Sequence, residues 1–268
     1  MANLVPVFFM LFLISCSSSR IERKINDSSW DSFADESFMR WSDKRLEASH
    51  SSRKVVGCYS GEIDSTLNSL KTDFAKKDSL YWLQVANCYY LKDEWSKADF
   101  FYRLGLEEAS SPQLKAHFLN NLALVQLKYN EWEKGRDYLK ESIKLAPKLK
   151  IPRFNLSQLY LQFGHFQVAI KILKEFEGTK DVDIYFSLAN AFVFMGDLLS
   201  AEKYFNLIPK ESMKREDIAD SYAIYMLKSG KNKEAEEIMN ERERSGAPEL
   251  TKISQKIEKI ISLRLKQE

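Results

Sequence analysis

Five stretches of the chain repeat one pattern in register, and this self-similarity restricts the possible folds more than any other feature. Each stretch begins with an apolar helical pattern, reaches a turn and continues with a second helical pattern. The turns lie 32 to 37 residues apart, at Asp93, Asn130, Gly164, Gly196 and Gly230. A small residue stands five positions after each turn: Ala98, Gly135, Ala169, Ala201 and Ala235. Self-similarity at this period is typical of stacked repeat architectures.

The composition favours helices joined by short connections. The 268 residues include 9 glycines and 6 prolines, both below the average usage of about 7% and 5%. A chain with so few turn-forming residues contains few obligatory turns. We therefore expect an all-α protein.

The repeat resembles the tetratricopeptide repeat (TPR), a helix-turn-helix unit of about 34 residues. The family pattern has a small residue in the first helix, found here at Ala86, Ala123, Ser157, Ala189 and Ala223. An aromatic residue follows the turn in three copies, at Trp95, Trp132 and Phe166. Pro147 and Pro248 stand where the family closes a repeat. The agreement of five copies in register carries the resemblance.

The resemblance implies a right-handed superhelical solenoid of TPR repeats. The five repeats are expected at about 79–112, 116–149, 150–183, 182–215 and 216–249. A degenerate repeat is expected at 47–78, and an amphipathic pattern at 250–268 predicts a C-terminal capping helix. Such arrays need a cap because the last repeat would otherwise expose an apolar face. A free partner-binding helix is the alternative for this segment.

The N-terminus predicts a membrane anchor. An apolar run ends at "LISC", Leu13 to Cys16, and it is too short for a spanning helix of about 20 residues. Residues 1–15 match a secretory signal, and the junction resembles the lipobox of bacterial lipoproteins. The resemblance implies a lipid on the Cys16 sulfur. The segment departs from the pattern because it has no Lys or Arg, so an ordinary signal peptide with an incidental cysteine is the alternative.

Residues 16–46 are polar and irregular, which is typical of a tether. The tether contains four aromatic residues, Trp30, Phe33, Phe38 and Trp41. We expect them to pack on the first helices, and docking of a partner is the alternative. Ser17 follows the lipobox cysteine, and by the family's sorting habit this implies the outer membrane, with the folded part facing the periplasm.

Charge and motifs exclude several classes of function. The 40 basic and 38 acidic residues are mixed along the chain, so no basic surface for nucleic acid is expected. The three histidines, His50, His117 and His165, have no metal-ligand spacing. Glycine-rich phosphate loops and nucleophile motifs are absent from the sequence. We expect no catalytic activity, no metal, no cofactor besides the covalent lipid, and no small-molecule substrate.

Cys58 and Cys88 remain after the lipidated cysteine is set aside. Two cysteines in an oxidising envelope could form a disulfide. We nevertheless favour two free, buried thiols that act as small hydrophobic residues.

The TPR resemblance also implies a binding groove lined by the first helices of the repeats. Some family members hold a peptide backbone with asparagines just before the Leu-small pair of the first helix. The matching amides here are Gln84, Asn121 and Asn155, and one turn further lie Asn87, Gln158 and Asn190. We expect Asn121 and Asn155 to be solvated. The alternative is that they bridge adjacent first helices. Leu83 and Ile151 stand where a carboxylate clamp needs cations, so carboxylate recognition is not expected.

Together these features predict a lipid-anchored scaffold that binds partner peptides or helices in the cell envelope. The chain resembles pilotin-type repeat lipoproteins, which implies a role in assembling a pilus or secretion complex. The alternative is a structural lipoprotein that organises a cell-wall or outer-membrane complex without a peptide ligand.

Overall fold

The computed structural model describes Cys58 and residues 62–73, 77–244 and 248–266. The regular elements in these ranges are helical, and no strand occurs among them. Twelve α-helices follow one another: α1 Ile63–Asp73, α2 Ser79–Leu91, α3 Trp95–Glu108, α4 Pro112–Lys128, α5 Trp132–Leu145, α6 Lys150–Gln162, α7 Phe166–Lys174, α8 Val182–Met195, α9 Leu198–Phe205, α10 Glu216–Lys228, α11 Asn232–Glu241 and α12 Pro248–Leu265. Two short 3-10 turns, Glu177–Thr179 and Ser212–Lys214, follow α7 and α9.

Several N-terminal predictions lie outside the described residues. They concern the signal segment 1–15, the lipidation site Cys16, the tether 16–46 with its four aromatic residues, and the start of the degenerate repeat. These stay predictions.

The helices form consecutive pairs. Helices α2 and α3, α4 and α5, α8 and α9, and α10 and α11 pack against each other. The chain divides into two compact units, one ending at Leu156 within α6 and the other beginning at Ser157. In the first unit α3 packs on α4, and in the second α7 packs on α8 and α9 on α10. The all-α repeat architecture expected from the sequence is confirmed.

The five turn residues share one backbone conformation, which explains their identities. Asp93 and Asn130 have φ angles of 58° and 60°, and the three turn glycines have φ angles of 73° to 80°. This left-handed region suits glycine, and asparagine and aspartate tolerate it better than other residues do. Each such residue lies one or two positions after the end of a first helix and allows the chain to reverse into the second.

Small residues at the helix crossings allow close packing. Ala98, Ala169, Ala201 and Ala235 have no exposed surface. A Cβ atom added at Gly135 would lie 2.7 Å from Cδ2 of Leu127, on the first helix of the same repeat. Because the core is close-packed, a larger side chain at these crossings would force the helices apart.

Two prolines begin helices. Pro112 is the first residue of α4, where the Ser111 hydroxyl accepts a hydrogen bond from the Leu114 amide at 3.1 Å. Pro248, which we expected to close the fifth repeat, is the first residue of α12. Proline suits a first helical position because the backbone N–H there has no partner within the helix. Helix α12 packs on α10 and α11 through Ile257, Ile260 and Ile261.

Cys58 and Cys88 form a disulfide, so the expectation of two free thiols is wrong. Their Cα atoms are 5.3 Å apart, a separation that suits a disulfide. Both residues are buried in an apolar cluster with Leu67, Leu70 and Val85. Packing of this cluster brings the cysteines together.

None of the described helices is both long enough and apolar enough to cross a membrane.

Candidate functional site

The predicted groove residues all lie on first helices of the repeats. Gln84 and Asn87 are on α2, and Asn121 is on α4. Asn155 and Gln158 are on α6, on either side of the boundary between the compact units, and Asn190 is on α8.

A row of hydrogen-bonded amides connects α2, α4 and α6 within the first compact unit. Nδ2 of Asn155 donates to Oδ1 of Asn120 at 2.9 Å, and Nδ2 of Asn120 donates to Oδ1 of Asn121 at 3.0 Å. Nδ2 of Asn121 then donates to Oδ1 of Asn87 at 3.2 Å. The Tyr102 hydroxyl donates to the same Asn87 oxygen at 2.8 Å. We call Asn87, Asn120, Asn121 and Asn155 the amide ladder.

The amide ladder is buried, so the expectation that Asn121 and Asn155 are solvated is wrong. Asn155 is 1% exposed and Asn121 is 5% exposed. The repeat places equivalent amides at the same level of adjacent helices, and each amide offers both a donor and an acceptor. The amides therefore satisfy one another, as the bridging alternative requires. A contact between the ladder and a partner's backbone stays a prediction.

Two members of this network were missed in the sequence. Asn120 directly precedes Asn121 and lies 35 residues before Asn155. That spacing, close to one repeat, was the available signal. Tyr102 lies on the second helix of its repeat, so the comparison of first helices did not include it.

In the second compact unit, Gln158 bonds to the next first helix. Its Nε2 donates to Oγ of Ser187 on α8 at 2.8 Å, and both side chains are buried. Ser187 occupies the position that corresponds to Asn121 and Asn155. The contact therefore also links successive repeats.

Gln84 and Asn190 differ from the other predicted groove residues in exposure. Both side chains are half-buried. Oε1 of Gln84 is itself buried and accepts no hydrogen bond. A buried acceptor without a donor is unfavourable by about 1–3 kcal/mol. A peptide N–H supplied by a partner would satisfy it.

Charged and polar side chains connect the turn ends of α3 and α4. Nζ of Lys128, at the end of α4, lies 5.7 Å from the Tyr90 ring centroid and 5.5 Å from that of Trp95. Gln126 donates to Asp99, which also accepts from Arg103. The hydrogen bond to Asp99 is the main cause that raises the pKa of Arg103 above its usual value. These contacts hold the turn ends of α3 and α4 together.

Across the described ranges, no group of three His, Cys, Asp or Glu side chains is arranged to hold a metal ion.

Known structures share the fold at low sequence identity. Neither a protein-family model nor a curated protein matches the sequence. PilF of Pseudomonas aeruginosa is 15% identical with a TM-score of 0.62, and the match covers 80% of this chain and 98% of PilF. A tetratricopeptide repeat protein of Parabacteroides merdae is 17% identical with a TM-score of 0.61, covering 85% and 92% of the two chains. YrrB, a TPR protein with an unusual peptide-binding site, is 15% identical with a TM-score of 0.51, covering 75% and 97%. The chain therefore has the tetratricopeptide-repeat fold, an all-α solenoid of helical repeats.

Proposed function

We propose that the chain is a lipid-anchored interaction scaffold of the bacterial cell envelope that binds partner peptides or helices along its first helices. The observation that carries this proposal is the alignment of amide side chains at equivalent positions of successive first helices. In this arrangement the ladder amides fix the spacing of the helices. Gln84 and Asn190 contact the partner.

The chemistry of these two amides suits a peptide backbone. A side-chain amide can donate to a carbonyl oxygen and accept from an N–H group, which are the two groups of a peptide bond. Oε1 of Gln84 needs a donor, and a peptide N–H is one. The peptide-binding site named for YrrB, which shares the fold, supports this assignment.

The disulfide supports a location of the protein outside the cytoplasm. Disulfides persist in oxidising compartments such as the bacterial periplasm and are rare in the cytosol. This agrees with the secretory signal and the lipobox-like junction at Cys16. The resemblance to pilotin-type lipoproteins extends the proposal to assembly of a pilus or secretion complex in the outer membrane.

A structural envelope lipoprotein without a peptide ligand is the second candidate. The observation that favours it is the mutual hydrogen bonding of the ladder amides, which accounts for them without any partner.

The anchor is tested by Cys16→Ser. This change removes the thiol that would carry the lipid, so the protein should leave the membrane fraction or remain unprocessed, and labelling by radioactive palmitate should stop. The Cys58→Ser/Cys88→Ser double variant is the matched control and should keep the label. Continued labelling of the Cys16→Ser variant would contradict the lipid anchor.

A further inference from the structure

The contact between α10 and the C-terminal helix α12 contains buried carboxyl groups. Oγ of Ser254 on α12 lies 2.8 Å from Oδ2 and 3.0 Å from Oδ1 of Asp220 on α10. The same oxygen lies 3.4 Å from Oε1 of Glu216, one turn earlier on α10. All three residues are buried. One hydroxyl group of α12 therefore meets two carboxyl groups of α10.

Arg242 also contacts carboxyl groups of both helices. This arginine follows α11, and its guanidinium group is buried. Its Nη2 lies 2.7 Å from Oε1 of Glu258 on α12, while its Nε is 3.9 Å from Oδ1 of Asp220. Arg242 is therefore held mainly by Glu258 and neutralises Asp220 only weakly.

Two further arginines near this contact form ion pairs. Arg215 lies 2.8 Å from both Asp183 on α8 and Asp217 on α10. Arg244 lies 3.9 Å from Glu258.

The hydrogen-bonding capacity of Ser254 favours one protonated carboxyl group. A serine hydroxyl has one hydrogen to donate, and its remaining positions are acceptors. It can donate to one carboxylate, so a second carboxyl group at the same oxygen is favourable only if it supplies its own proton. Two buried carboxylates side by side also repel each other, which favours uptake of one proton.

Electrostatics agree with this geometry. Burial raises the pKa of Asp220 to about 7. The hydrogen bond from Ser254 and the charge of Arg242 lower the pKa, and the charges of Glu216 and Asp217 raise it. Burial outweighs the two stabilising contacts.

We propose that Asp220 holds a proton when α12 is docked, and that release of this proton to solvent loosens α12 from α10. The C-terminal helix is then a pH-responsive cap. When it loosens, the buried residues Ile257, Ile260 and Ile261 and the end of the repeat stack become accessible.

The direction of the pH effect follows from linkage. In the detached state Asp220 has an ordinary pKa near 3.8, so the docked state binds the proton more tightly. Docking is therefore most favourable at low pH and weakens as the pH rises towards 7. Opening of α12 should increase about tenfold per pH unit between about pH 5 and pH 6.5, and level off above about pH 7.

Hydrogen exchange of the α12 amides measures this opening. Protection factors, corrected for the intrinsic pH dependence of exchange, should fall over that range in the wild-type protein. In Asp220→Asn they should be nearly independent of pH and, above pH 7, at least as high as in the wild type. The control Asp217→Asn, whose carboxylate pairs with Arg215, should keep the slope of the wild-type pH dependence, with the levelling moved only slightly to lower pH because its charge contributes least to the raised Asp220 pKa.

Ser254→Ala separates a proton-linked role from simple packing. Loss of the hydroxyl removes a contact that lowers the Asp220 pKa, so the pH at which opening levels off should move upward. A uniform loss of protection at every pH would instead show that Ser254 only packs, and would overturn the proposal. A steep pH dependence that persists in Asp220→Asn would also overturn it.

Discussion

Loss of the Cys58–Cys88 disulfide should lower the free energy of unfolding by about 3–4 kcal/mol. The two cysteines are separated by 30 residues, and a cross-link across a loop of this length restricts the unfolded chain by about that amount. The cysteines also lie in the apolar cluster with Leu67 and Leu70 of α1. Loss of the cross-link should therefore weaken the packing of α1 on α2. The measurement is urea unfolding of Cys58→Ala/Cys88→Ala beside the wild type.

A reducing agent provides the control for this experiment. It should shift the wild-type transition to lower urea and leave the double variant unchanged. If the double variant unfolds at the same urea concentration as the oxidised wild type, the disulfide does not stabilise the protein as proposed.

Asn121→Ala should destabilise the protein by about 1–3 kcal/mol, the cost of leaving buried polar groups without partners. The change removes the acceptor for Asn120 and a donor to Asn87 together. Chemical denaturation gives the difference in stability. Asn190→Ala is the matched control because Asn190 is half-buried, and its effect should stay within about 0.5 kcal/mol.

A double-mutant cycle tests whether the amide ladder acts as a unit. Asn87→Ala and Asn121→Ala remove two ends of one hydrogen bond, so their effects should be non-additive by about 0.5–3 kcal/mol. Additive effects, or an Asn121→Ala variant as stable as the wild type, would show that the ladder does not hold the first helices together.

The repeat architecture was predictable because the turns and crossings impose local requirements on single residues. The turns use different residue types, such as Asp93, Asn130 and Gly164. Each of these types tolerates the left-handed backbone conformation that the turn requires. Ala98 and Ala201 are small because the paired helices touch there. Such requirements recur in every repeat, so they are visible as a period.

The disulfide and the ladder were not predictable because they depend on distances between helices. A sequence places Cys58 and Cys88 on separate segments but does not give the separation of their Cα atoms. It also places Asn121 and Asn155 on equivalent positions, where a solvated amide and a bridging amide look identical. The repeat register decides between them by bringing the side chains within hydrogen-bonding distance.

The structural role of a proline near a repeat boundary is also ambiguous in the sequence. A proline near a repeat boundary is compatible with the end of one helix or the first position of the next. Pro248 begins α12, although the family pattern places a proline at the end of a repeat.

Position-specific photocrosslinking tests the interaction scaffold most directly. A photoreactive residue at position 84, or one at position 190 in the other compact unit, should join the chain to a partner protein in membranes of cells that produce the protein. The control position is Lys140, which is exposed on the second helix α5 and should give no such product. Crosslinks from position 140, with none from positions 84 and 190, would place the partner on another surface and contradict the proposed binding face.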